Sequence, residues 1–331
     1  MARVLSGIQP SGEVHLGNYI GAIRHWVRDQ DVDDSFILIV DLHAITVPQD
    51  PGTLRRATLD LAATLLAAGI DPGRSTLWVQ SQVHEHAELA WVLGCFTGFG
   101  ELRRMTQFKD RTAKGGESLA SAGLFTYPVL QAADILLYRA ERVPVGEDQR
   151  QHLELTRDVA QRFNGRFGEA FVVPEAAVPQ VGARIMDLQA PTSKMSKSAE
   201  SPAGTIRVTD TPDEITRKMR TAVTDSGREI VASPEKPAIT NLLTIYSVST
   251  GRSVEELERD HEGKGYADLK SGLADALVEF LRPLRERYRA LSADPGEIER
   301  LLAVGADKAS AVAAKTLDDV YEKLGFLRPA T

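Results

Sequence analysis

Apolar runs of strand length alternate with longer amphipathic stretches through the first half of this 331-residue chain. Val4 to Ile8 predicts a short strand, Phe36 to Val40 a second and Thr76 to Val79 a third. Between them, Gly17 to Arg28 predicts a helix that opens at the Gly17-Asn18 pair. Thr53 to Ala68 predicts another, closed by Gly69, because glycine takes the left-handed conformation of a helix C′ position without a Cβ penalty. Strands and helices in this order predict an α/β fold built on a doubly wound parallel sheet. Such sheets hold ligands at the carboxyl ends of their strands.

The pattern then changes. Leu124 to Tyr138 is apolar and of helical length, and Val143-Pro144-Val145 predicts a short strand. From Pro212 onward the chain reads as helix after helix, with turn signals at Gly251, Gly263, Gly265, Pro295 and Gly325. The expected division is an α/β domain over residues 1–189, a smaller all-helical domain over 190–290, and C-terminal helices over 291–331 that pack back on the first domain. Composition adds little: 43% hydrophobic and 26% charged residues are ordinary for a globular protein. No run of about 18 apolar residues occurs, so no membrane span is expected, and the N-terminus lacks the apolar stretch of a signal peptide. Cys95 stands alone, which excludes an intrachain disulfide and fits a reducing, cytoplasmic location. A net charge of −7 argues against a general nucleic-acid coat but not against a local basic patch. Arg282, Arg285, Arg287 and Arg289 form one candidate stripe, with a salt-bridged helix surface as the alternative.

Two segments carry chemistry. Pro10-Ser11-Gly12-Glu13-Val14-His15-Leu16-Gly17-Asn18 runs from a predicted strand into a predicted helix, where glycines allow close backbone approach and a helix N-terminus favours phosphate. Lys194-Met195-Ser196-Lys197-Ser198 places two lysines and two hydroxyls in five residues, a set suited to a polyphosphate whose charge is leaving. Each alone also reads as an ordinary turn or a solvated basic loop. His84-Glu85-His86 offers two histidines but no evident third metal ligand, and reads as solvated residues at a helix start. Trp26, Trp78 and Trp91 read as core or interface residues, and Cys95 as a small core residue.

In combination, His15-Leu16-Gly17-Asn18 resembles the HIGH element of class I aminoacyl-tRNA synthetases, and Lys194 to Ser198 matches their KMSKS element letter for letter. Ser6-Gly7-Ile8-Gln9-Pro10-Ser11-Gly12, Arg104 to Lys109, Ala132 to Tyr138, Val143 to Gln149 and Glu262 to Tyr266 further resemble the bacterial tryptophanyl-tRNA synthetase family, essentially from end to end. The resemblance implies a Rossmann-like catalytic domain over 1–189 with a dimer-interface insertion, and anticodon recognition by the helices of 190–290. It implies activation of L-tryptophan by ATP to tryptophanyl-adenylate and pyrophosphate, then transfer to the cognate tRNA. It also implies Mg²⁺ bound with ATP, and a homodimer with Phe96, Phe99, Leu102 and Phe125 as interface pieces.

Carried over by position, the likeness implies an ATP site of Gln9, Pro10, Ser11, Gly17, Asn18, Gly146, Glu147, Asp148, Ile185, Lys194, Met195, Ser196, Lys197 and Ser198, with Arg111 reaching pyrophosphate. Lys194, Lys197, Ser196, Gln9 and Asn18 would carry the catalysis. Asp134 would accept a hydrogen bond from the indole N–H, with Gly7, His43, Tyr127, Gln131, Val143, Val145 and Gln149 around the amino acid. Two positions depart from the family's pattern. Gln131 stands where methionine is common, and Arg111 where some relatives carry lysine, which exchanges a point charge for a planar fork. The rival readings are a tyrosyl-type class I synthetase, a small-molecule adenylyltransferase, and a non-catalytic binding protein descended from a synthetase. The last would be expected to lose glycines or lysines that are intact here.

Overall fold

The computed structural model describes residues 1–109, 120–146, 149–177, 184–196 and 201–327. Five strands form one parallel sheet in the order β3-β2-β1-β4-β5: β1 is Arg3–Ile8, β2 Asp34–Ile39, β3 Thr76–Val79, β4 Arg142–Pro144 and β5 Glu175–Ala177. The central pair runs in register from Arg3 opposite Asp34 to Ile8 opposite Ile39. The chain winds outward from β1 through β2 to β3, then returns to the other side of β1 as β4. The carboxyl ends of β1 and β4 therefore diverge into a crevice, the topological switch point at which such sheets bind ligands.

β2 shows why the sheet is covered on both faces. Ile37 and Ile39 pack into one core with the Pro51–Ala68 helix and helices from Pro212 onward. Phe36 and Leu38 pack into the other with the Ala122–Leu137, Arg150–Phe167 and Pro295–Leu324 helices. Alternate residues of a strand point to opposite faces, so a continuous apolar run serves two helical layers. The Pro51–Ala68 helix begins where Asp50 accepts the Thr53 N–H at 2.8 Å and ends at Gly69 with φ 114°. The first helix differs from expectation: it starts at Leu16 and contains a π-helical turn over Tyr19–Ile23 before resuming at Arg24–Asp29. β5 escapes the hydrophobic pattern because it is a three-residue edge strand, largely exposed. No helix of the described residues is long and apolar enough to cross a membrane.

The Pro295–Leu324 helix lies directly on β3. A Cβ built on Gly305 would sit 1.8 Å from the Leu77 carbonyl oxygen, so backbone meets backbone there. Gly305→Ala is expected to push the helix off the sheet and destabilise the protein by at least about 3 kcal/mol, the upper range for overpacking. A thermal unfolding midpoint within a degree of the parent would contradict this.

Several expectations for individual residues change. Cys95 is exposed rather than in the core. Of the tryptophans expected in core or interface, Trp78 is in the core at 0% exposure, whereas Trp91, 77% exposed, is not a core residue. Leu102 is a core residue at 5% exposure, not a surface piece, while Phe99 stays exposed with its ring 4.9 Å from that of Phe125. Arg285 is 5% exposed and donates to the Val278 carbonyl, which removes it from any surface stripe, and Arg282 pairs with Glu279 and Glu286.

Candidate active site

A cavity of about 390 Å³ opens at the crevice between β1 and β4, within the roughly 300–1,000 Å³ of small-ligand sites. Leu5, Ser6, Gly7 and Gln9 come from β1 and its continuation, Val143 and Pro144 from β4 with Val145 just past it, Val40 from just past β2 and His43 from the short Asp41–Ala44 helix that follows. Gly7 shapes this wall: a Cβ there would stand 3.2 Å from Val40 Cγ1. The fourth wall is the Ala122–Leu137 helix. Tyr127, Gln131 and Asp134 are spaced four and three residues apart and so project from one face, toward the cavity. The cavity thus gathers Gly7, His43, Tyr127, Gln131, Asp134, Val143, Val145 and Gln149, together with Gln9. The polar end is linked: Gln131 donates to Gln149 Oε1 at 3.3 Å, and the Tyr127 hydroxyl lies 3.0 Å from Gln107 Oε1 and 2.7 Å from His152 Nε2.

Asp134 is 3% exposed and surrounded by donors. His43 Nε2 lies 2.7 Å from Oδ2, while Gln80 Nε2 and His86 Nδ1 lie 2.7 and 2.6 Å from Oδ1. Burial pushes the Asp134 carboxyl up, but the hydrogen bonds from His43 and His86 outweigh it and hold the group well below the usual carboxylate range. It is an anion kept dry in a wall of Ile135, Leu38 and Leu5. The sequence reading missed two members of this set. His86 is not solvated but fully buried at 0% exposure, and only its neighbour His84 faces solvent. Gln80 carried a signal: it is a polar residue immediately after an apolar strand, at the carboxyl end of β3.

The two chemical motifs meet beside this cavity. His15 caps the Leu16–Asn18 turn reciprocally: its Nδ1 accepts from the Asn18 N–H at 3.2 Å, and Asn18 Oδ1 accepts from the His15 N–H at 3.3 Å. A Cβ on Gly17 would contact both this ring, at 3.1 Å, and Met195 Cβ, at 3.7 Å. Leu16 N–H donates to the Ile206 carbonyl and Val208 N–H to that of Val14, so the chain after the Lys194 segment is stitched to the first motif. Met195 and Ile185 are each 2% exposed: their side chains anchor the segment in the core, and the Met195 N–H donates to the Ile185 carbonyl. Any contact from these two to a ligand would come from backbone. Lys194 is left exposed beside the Gly17 turn, and Gly146, exposed, follows β4. Arg111, Glu147, Asp148, Lys197 and Ser198 lie outside the described residues.

A parallel β3-β2-β1-β4-β5 sheet, a His-Leu-Gly-Asn turn at its first strand–helix junction and a Lys-Met-Ser-Lys-Ser sequence whose Met195 packs against that turn define a class I aminoacyl-tRNA synthetase. The family model for tRNA synthetases class I (W and Y) matches residues 1–282. Tryptophan–tRNA ligase 2 of Streptomyces avermitilis is 58% identical over 98% of this chain and 97% of its own length. Tryptophan–tRNA ligase of Corynebacterium glutamicum is 57% identical over 98% of this chain and 95% of its own. The crystal structure of tryptophanyl-tRNA synthetase from Campylobacter jejuni complexed with ADP and tryptophan superposes with a TM-score of 0.88. It is 39% identical and covers 98% of this chain and 100% of that one. The chain belongs to the class I tRNA synthetases, within the bacterial tryptophan–tRNA ligases.

Proposed function

We infer that the chain activates L-tryptophan with ATP and transfers it to its tRNA, with the β1–β4 cavity as the tryptophan site. The observation that carries this reading is the cavity itself, an apolar slot with one buried, charged acceptor, Asp134, in its wall. Indole is a flat apolar body with a single N–H donor and no acceptor, which such a slot complements. The tyrosyl alternative is disfavoured by the identity to tryptophan–tRNA ligases over nearly the whole chain.

In the first step the tryptophan carboxylate, already a nucleophile at neutral pH, attacks the α-phosphate. An oxygen–phosphorus bond forms, the bond to the β-phosphate bridge breaks, and pyrophosphate leaves. The protein need supply no base, only alignment and charge stabilisation. Gln9, Pro10, Ser11, Gly17 and Asn18 would align the nucleotide, with Gly146, Glu147, Asp148 and Ile185 around the adenosine. Lys194, Met195, Ser196, Lys197, Ser198 and Arg111 would hold the phosphates. Mg²⁺ would arrive with ATP, held by the phosphates and screening their charge. In the second step a ribose hydroxyl of the terminal adenosine of tRNA attacks the adenylate carbonyl and releases AMP.

Residues 1–189 would form the catalytic unit, 190–290 the anticodon-reading unit and 291–331 the C-terminal helices packed back on the first. A symmetric homodimer using exposed Phe99 and the half-buried Phe125 ring beside it is part of the same reading. Light scattering at micromolar concentration is expected to give twice the 36.1 kDa chain mass, and a monomer would remove the dimer. The test of function is ATP–pyrophosphate exchange with each standard amino acid. Exchange with tryptophan alone is the expected result, and exchange with tyrosine or with none would overturn the reading.

A further inference from the structure

Asp134 is held more tightly than a simple acceptor requires. A carboxylate offers about four lone-pair sites, two on each oxygen. Both sites on Oδ1 are taken, by Gln80 Nε2 at 2.7 Å and His86 Nδ1 at 2.6 Å. Among the described residues only one site on Oδ2 is taken, by His43 Nε2 at 2.7 Å. Gln80 and His86 are both at 0% exposure, behind Asp134 as seen from the cavity.

Each of the two is itself fixed. The Gln80 Oε1 accepts the Leu42 N–H at 3.1 Å, which sets the amide so that its NH₂ faces the carboxylate. His86 Nε2 lies 2.8 Å from the Tyr138 hydroxyl. With its phenol proton donated there, Tyr138 holds the imidazole in the tautomer that carries its hydrogen on Nδ1, toward Asp134. Tyr138 is in turn wedged between Phe36 and Trp78, with ring centroids at 5.3 and 4.9 Å. The rear of the network is therefore sealed from water, and each donor has one orientation.

We propose that His86 and Gln80, oriented by Tyr138 and Leu42, are positioning residues for indole recognition: they saturate Oδ1 of Asp134 and leave one lone pair of Oδ2 as the acceptor offered to the substrate N–H. This rests on the reading of the cavity as the tryptophan site. Neither residue touches the amino acid. Their effect is on which oxygen, and which direction, the anion presents. An unsupported carboxylate in the same wall could rotate or take up a proton, and would then distinguish poorly between an N–H and an isosteric group without one.

The probe is 3-benzothienylalanine, which replaces the indole N–H by sulfur. ATP–pyrophosphate exchange with tryptophan and with this analogue is measured on the full chain and on His86→Leu, His86→Asn, Gln80→Met and Asp134→Ala. His86→Leu and Gln80→Met are each expected to shrink the tryptophan preference in kcat/KM by about tenfold or more, the kinetic equivalent of one hydrogen bond to a charged group. His86→Asn, whose amide NH₂ can stand near the lost Nδ1–H, is expected to recover most of that preference. A merely structural role would reduce the active fraction and lower both substrates together. If Asp134→Ala collapses the preference while His86→Leu and Gln80→Met leave it intact, the positioning role is overturned and the tryptophan site stands. If Asp134→Ala leaves it intact, the site assignment falls and this proposal with it. Should His86→Leu fail to fold, Gln80→Met alone decides.

Discussion

Asp134→Ala is expected to lower kcat/KM for tryptophan at least about 100-fold, or roughly 3 kcal/mol of transition-state stabilisation, with little change in the KM for ATP. Two losses add. On the proposed reading the indole N–H would lose its acceptor inside a dry pocket, and sites built around a substrate donor depend on that pairing by about 10⁴-fold when it is complete. The variant also strands the three donors that now converge on the carboxylate, His43, Gln80 and His86. Each such buried donor costs about 1–3 kcal/mol if left unpaired. Part of the damage is therefore to folding, so the adenylate burst should be used to count active sites before rates are compared. Phenylalanine, which brings no donor, should lose far less than tryptophan, and discrimination between the two should narrow. Normal tryptophan kinetics per active site would show that Asp134 is not the indole acceptor.

The same residue marks how far the sequence carries. The strands from Val4, Phe36 and Thr76, and the helix closed at Gly69, were legible because hydrophobic period and glycine stereochemistry are local properties. The face shared by Tyr127, Gln131 and Asp134 was legible for the same reason, since helical spacing alone puts them together. Which partners the face meets is a tertiary fact. His86 lies 48 residues before Asp134 and Gln80 lies 54 before it, and no periodicity links them. A histidine beside an exposed His84 reads as solvated until the helix it begins is docked on the Ala122–Leu137 helix. The π-helical turn at Tyr19–Ile23 was illegible for another reason: it adds one residue to a turn without altering the apolar pattern enough to announce itself. Motifs fared differently. The Lys194 segment was recognisable letter by letter, yet the burial of Met195 against Gly17 could be seen only in three dimensions.

That burial leads to the last expected result. Lys194→Ala should lower the rate of adenylate formation about 100-fold, a common loss for one electrostatic donor to a transition state, while ATP affinity changes only a few-fold. The reason lies in the split between anchor and side chain. Met195 fixes the segment through its buried side chain and its hydrogen bond to Ile185, and Lys194 pairs across to Met186 as an isolated bridge. The backbone at position 194 is thus set by its neighbours and not by the lysine, so its removal should leave the fold and the Gly17 turn undisturbed. Lys194 is exposed, and on the proposed reading its ammonium would meet the leaving pyrophosphate rather than the ground-state nucleotide. Charge grows on that leaving group as the bond to the α-phosphate breaks, so the interaction strengthens along the reaction and appears in kcat more than in KM. Met195→Ala should behave in the opposite way: loss of its core packing loosens the segment, and both constants worsen together. Single-turnover adenylate formation at several ATP concentrations separates the two. A Lys194→Ala enzyme with a normal rate constant and weakened ATP binding would mean that the lysine acts on the ground state instead.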